Sequence, residues 1–159
     1  MEPTFTHFRV AARAASQGWT HGEWRDERGY ICALQAVLDA IGIPEDAADV
    51  PWPFLMELDA TLMRTGTYCT TAGELAHRNN VMLDRDAGHL EELIWKWNDA
   101  PGRTQAEVVA VLAATADRLE GKQRLWLRDL VARAIRPTAS WRGFDESELE
   151  LDLEEAVAA

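Results

Sequence analysis

The segment Trp97-Asn98-Asp99-Ala100-Pro101-Gly102-Arg103-Thr104-Gln105-Ala106-Glu107 decides how this chain reads. Asn and Asp side chains bond nearby backbone groups where a chain reverses, and Pro-Gly makes a tight turn. Thr104 and Glu107 stand at the spacing of a capping box, in which a hydroxyl and a carboxylate satisfy the first free amides of a helix. One helix should therefore end at Trp97 and another begin after Thr104. Val108, Val111, Leu112, Thr115 and Leu119 then align on one side of the second helix. Turn chemistry accounts for every residue type in this corner. A binding or catalytic loop that uses Trp97 and Asp99 is the alternative.

Helical spacing recurs on both sides of the corner. A first helix is expected from about Thr4 to Gln17, with Phe5, Phe8, Ala12 and Ala15 on one stripe and Gly18 as its stop. A loop rich in Gly, Trp and charge follows, Trp19–Gly29. A second helix runs from about Tyr30 to Ile41, ended by Gly42 and Pro44. Pro53 suits the first turn of a third helix that reaches Met63. Thr71 and Glu74 cap a short helix through Asn79, Val81–Leu83 is a strand fragment, and a further helix spans about Ala87 to Trp97 with Leu90, Leu93, Ile94 and Trp97 on one side. Gly121 divides the helix from Thr104 to Leu119 from a basic helix at 121–136, which Pro137 stops. In the tail, Leu149, Leu151 and Leu153 fit a short strand, whereas Leu149, Leu153 and Val157 fit one face of a helix. The expected fold is all-α: a compact single-domain bundle of about six to seven helices over residues 1–142, followed by an acidic C-terminal tail, 143–159, either docked or disordered.

Several of these segments together carry a resemblance. Gly18-Trp19 with Gly22, then Cys32-Ala33-Leu34-Gln35-Ala36, then Trp97 through Thr104 running into Glu107 and Val108, are similar to the pattern of small actinobacterial and actinophage proteins grouped as domain of unknown function 6197. The resemblance covers about residues 1–118, and Gln35 stands where that pattern carries glycine. It implies a family-like core up to residue 119, with the remainder an addition, and it implies no chemistry.

Composition narrows the function classes. A hydrophobic fraction of 47% and a charged fraction of 27% are ordinary for a globular protein, while seven Trp is a high count. No apolar run is long enough to span a bilayer, and the first 19 residues lack the order of a signal peptide. Cys32 and Cys69 form no CxxC, so reduced thiols in the cytoplasm are expected. The net charge of −11 is unevenly distributed. Residues 1–116 carry 9 basic and 17 acidic side chains, 117–142 carry 7 and 3, and 143–159 carry none and 7. So acidic a molecule repels phosphates, which argues against broad nucleic-acid or membrane-surface binding.

Three functional readings remain. Cys32, near a helix start that can lower a thiol pKa, could act as a nucleophile with His21 or His77 as base and Asp99 as orienter, giving a small hydrolase or transferase. Against this, Cys32 lies in an apolar stretch where structural cysteines are common. His7, His21, His77 and His89 occur singly, so neither a metal nor a cofactor is expected. Nucleic-acid binding would use the basic helix, residues 118–142. The leading expectation is a non-enzymatic interaction or regulatory protein, acting through contacts with a protein partner or a second copy and including inhibition of a host factor. Its expected binding residues are Arg124, Trp126 and Arg128 on the basic helix, Leu149 and Leu153 in the tail, and Trp97 and Asp99 at the corner.

Overall fold

The structure, a computed structural model, describes residues 1–44, 50–66, 68 and 72–135. Among these residues six helices follow one another: α1 Phe5–Gln17, α2 Ala33–Ile41, α3 Trp52–Thr65, α4 Ala72–Asp84, α5 Ala87–Asn98 and α6 Gln105–Ile135. Among the described residues there is no strand, only isolated bridges that pair Ile31 with Trp19 and with Arg25. The fold is all-α, as the spacing predicts. The chain divides into two units, residues 1–117 and 118–159, with α6 running from the first into the second.

The first unit holds the core. α1 buries Phe8, Ala11, Ala12 and Ala15, and its small residues allow the apolar face of α2 to approach closely. From α2 come Leu34, Val37 and Leu38, from α3 Phe54, Leu55, Leu58 and Leu62, from α5 Leu90 and Ile94, and from α6 Val108, Val111 and Leu112, all essentially removed from water. At roughly 1.5–3 kcal/mol for each large side chain buried, this cluster supplies the main driving force for folding. Two hydroxyls inside it are satisfied: Thr115 donates to Thr61 at 2.9 Å, and Thr61 is also placed within reach of the Glu57 carbonyl at 3.1 Å. Asp59 of α3 is fully buried and meets the Arg78 guanidinium of α4 through both carboxylate oxygens.

Four expectations need correction. The second helix begins at Ala33, not Tyr30, because Tyr30 and Ile31 are held extended: Asp26 bonds Tyr30, and Ile31 N–H donates to Gly18 O. The fragment Val81–Leu83 is helical. α4 continues to Asp84, burying Val81 and exposing Leu83, and stops where Arg85 takes the left-handed conformation that glycine usually supplies. Gly121 divides nothing, since α6 is one helix of 31 residues. Glycine ends a helix by adopting positive φ, as Gly42 and Gly66 do after α2 and α3. Gly121 does not, and Glu120 bridges past it to Arg124. Finally, α3 runs two residues beyond Met63, to Thr65. Thr71 and the tail residues, Leu149 and Leu153 included, lie outside the described residues.

Candidate functional site

The segments that carry the family resemblance converge on one buried side chain, Asn98. Its amide oxygen accepts from the Trp19 indole N–H at 2.9 Å and from Ala33 N–H at 3.1 Å. Its amide nitrogen donates to the Thr20 carbonyl at 3.3 Å and to the Asp99 carboxylate at 2.8 Å. A primary amide has two lone pairs and two N–H bonds, and all four are used. Asn98 thus joins the loop after α1, the start of α2 and the end of α5. The sequence predicts a local turn role for this residue, whereas three of its four partners lie 65 to 79 positions away.

The corner after Asn98 is built as the residue types imply. Asp99 caps α5, Gly102 has φ +83°, and Arg103 N–H donates to Ala100 O. Thr104 and Glu107 form the reciprocal cap of α6, with Thr104 N–H donating to Glu107 Oε2 at 2.8 Å and Glu107 N–H to Thr104 Oγ1 at 3.3 Å. These bonds from Thr104 hold the exposed Glu107 carboxyl below the usual range. Arg103 lies over the Trp97 ring at 4.5 Å and donates from Nε to the Trp97 carbonyl. Trp97 is therefore buried beneath a cation, and its indole N–H has no partner. Trp97 and Asp99 both take part in holding the corner, Trp97 beneath Arg103 and Asp99 through Asn98.

Cys32 caps α2. Its sulfur accepts from Gln35 N–H at 3.3 Å, and the residue is 2% exposed. Burial pushes the thiol pKa up to about 12, outweighing the helix-start hydrogen bonds, and the Asp99 charge adds to the rise. A neutral, enclosed thiol is a poor nucleophile. The proposed bases lie elsewhere: the exposed His21 ring rests near Trp19, and His77 pairs edge-on with His89. Among the described residues no group of His, Cys, Asp and Glu could hold a metal ion. Gln35, the departure from the family pattern, is fully buried. Its amide nitrogen donates to Asp39 at 2.7 Å, and its oxygen is unpartnered.

Two surfaces are less committed to holding the fold. In the first unit, Trp24 and Trp95 meet edge to face, with centroids 4.8 Å apart and planes at 73°. With Gly88, Glu91 and Glu92 they line an open cleft of about 300 Å³. The sequence signal for this face is that Trp95 falls off the apolar stripe of α5, while Gly88, Glu91, Glu92 and Trp95 recur at i, i+3, i+4 and i+7. In the second unit, Leu125, Trp126, Leu127 and Leu130 are exposed on α6. Arg124 pairs there with Glu120 at 2.8 Å and Arg133 with Asp129 at 2.5 Å, whereas Arg128 is exposed.

No helix among the described residues is long and apolar enough to cross a membrane. Neither the curated proteins nor the solved structures include a match to the chain. A family model described as a family of unknown function, DUF6197, matches residues 3–118, the stretch that contains the Asn98 junction and both halves of the corner, and the chain belongs to that family.

Proposed function

We propose that the chain is a non-enzymatic interaction protein that regulates a protein partner by direct contact, with the distal half of α6 as its docking surface. The observation that carries this reading is the exposure there of Trp126 (60%), Leu127 (37%) and Leu130 (48%). Single exposed leucines are ordinary, but Trp126 with Leu127 and Leu130 one turn on makes a contiguous apolar patch, and Trp is the residue type favoured where partners dock. Trp126, Leu127, Leu130 and Val131 share one side of the helix by i, i+3 and i+4 spacing. By the same geometry Lys122 and Arg133 flank that side along one edge, and Arg124 and Arg128 along the other. An apolar stripe between two basic rows fits an acidic amphipathic helix whose own leucines face it. In this reading the protein works in the cytoplasm of an actinobacterium or of its phage-infected cell, and inhibition of a host factor is one form the regulation takes.

Affinity capture with the full chain tests the proposal, run beside its Trp126→Ala/Leu130→Ala and Arg124→Gln/Arg128→Gln forms. The expected partner binds through an acidic helical segment. It weakens by about tenfold or more on loss of the apolar pair, and it weakens with salt unless the arginines are neutralised. A partner retained equally by all three forms overturns the assignment of this surface. Salt-sensitive retention of DNA or RNA, lost with Arg124 and Arg128, would instead move the function to nucleic acid.

A further inference from the structure

The cleft beside α5 combines three features not otherwise explained by the fold. Trp24 and Trp95 form two aromatic walls near a right angle. Glu91 and Glu92 place carboxylates on the same helix face. Gly88 adds no side chain to the cleft, and a Cβ built there meets only one atom within 4 Å, an Asp86 oxygen at 3.7 Å. Both indoles are half-buried, so each is fixed in place yet keeps part of its surface on the cleft.

The charges are held as well as the rings. Glu91 accepts the Val50 amide N–H at 3.2 Å, which anchors it to the segment before α3. Glu92 is bonded by Lys96 at 2.7 Å, and that ammonium keeps its carboxyl below the usual range. Counting Glu91, Glu92 and Lys96, the cleft keeps net negative charge on a molecule that is itself strongly acidic.

Aromatic faces attract cations through the ring quadrupole, and Trp does so best. A bare metal ion is poorly served by indoles, and a primary ammonium would rather keep its water. A methylated ammonium has charge spread over apolar methyl groups, so it gains from ring contact while a nearby carboxylate balances the charge. We propose that the Trp24–Trp95 cleft binds a methylated ammonium group, with Glu91 and Glu92 as counter-charges. The group could be carried by a small quaternary amine or by a methylated lysine side chain, two sources that share this chemistry. The proposal concerns a site in the first unit and does not depend on the α6 reading.

The test is titration of the full chain, followed by the indole N–H signals in proton–nitrogen NMR spectra. The probes are choline, its uncharged isostere 3,3-dimethyl-1-butanol and a trimethyl-lysine peptide, at constant ionic strength. Choline should shift two indole signals saturably and bind about tenfold more tightly than the isostere, a difference of about 1.4 kcal/mol. Gly88→Leu should abolish binding by filling the cleft, at a position where the helix tolerates leucine well. Glu92→Gln should weaken charged probes severalfold and leave the isostere unchanged. Tighter binding of the peptide than of choline assigns the ligand to a protein side chain, and the reverse assigns it to a small molecule. Equal binding of choline and its isostere, or binding that survives both Gly88→Leu and Glu92→Gln, overturns the proposal. So does the absence of any saturable shift with all three probes.

Discussion

The indole N–H of Trp19 donates to the side-chain oxygen of Asn98 at 2.9 Å across 79 positions of sequence. That bond explains why a Gly-Trp after the first helix and a Trp-Asn-Asp turn near residue 98 occur in one chain. They are two halves of a single junction, and Ala33 at the start of α2 is its third member.

Asn98→Leu should therefore be among the most damaging single changes. It strands the buried Ala33 amide together with the half-buried Trp19 indole N–H and Thr20 carbonyl, and a fully buried polar group left unpaired costs about 1–3 kcal/mol. A loss of roughly 3–5 kcal/mol is expected from urea unfolding, with the slope of the transition unchanged. A loss below about 1 kcal/mol would mean that water replaces these bonds.

Gly18→Ala should destabilise through its neighbour and not through its own backbone. Gly18 has extended backbone angles that any residue adopts, but an added Cβ would lie 2.0–2.8 Å from the Tyr30 ring. Relief requires the Tyr30 ring to swing away from its rotamer, because Asp26 holds the Tyr30 backbone in place. The expected cost is about 1–3 kcal/mol, falling close to zero when Gly18→Ala is made in a Tyr30→Ala background.

Arg78→Met removes the guanidinium that both oxygens of the buried Asp59 carboxylate meet, Arg78 itself being 18% exposed at its side chain. Breaking such a pair on one side costs about 3–5 kcal/mol, whereas replacing both members with apolar residues is far milder. Thermal denaturation should rank Arg78→Met well below the Asp59→Leu/Arg78→Met double variant. The opposite order would show that the pair contributes little.

The thiol of Cys32 sets a stability change on the alkaline side. Its pKa is pushed from 9.0 to about 12 on folding, so between those values the folded chain keeps a proton that the unfolded chain has released. The stabilisation is complete below pH 9 and is lost as pH rises toward 12. The slope reaches at most about 1.4 kcal/mol per pH unit. Cys32→Ala should lack this slope, which denaturant titrations between pH 8 and 10.5 can resolve by comparison.

Features governed by near neighbours are legible in the chain itself. The Thr104–Glu107 cap, the Pro-Gly corner and the stop at Gly42 depend on interactions within a turn, and the residues present dictate them. Gly121 misleads because the same residue type stops one helix and passes through another, the difference being a φ angle that composition does not encode. Val81–Leu83 misleads because three β-branched or apolar residues carry no period of their own, and their helix is set by the Arg78–Asp59 contact and the burial of Val81. The Asn98 junction and the Trp24–Trp95 pair join residues far apart in sequence, and only the fold brings them together.

The enclosure of Cys32 also makes the protein its own clock. A thiol 2% exposed reacts with an alkylating reagent only during moments when the region around α2 comes apart. In a Cys69→Ser background, the labelling rate divided by that of a free thiol measures how often those moments occur. Ligands that bind the closed state would slow the clock by an amount that reads directly as affinity.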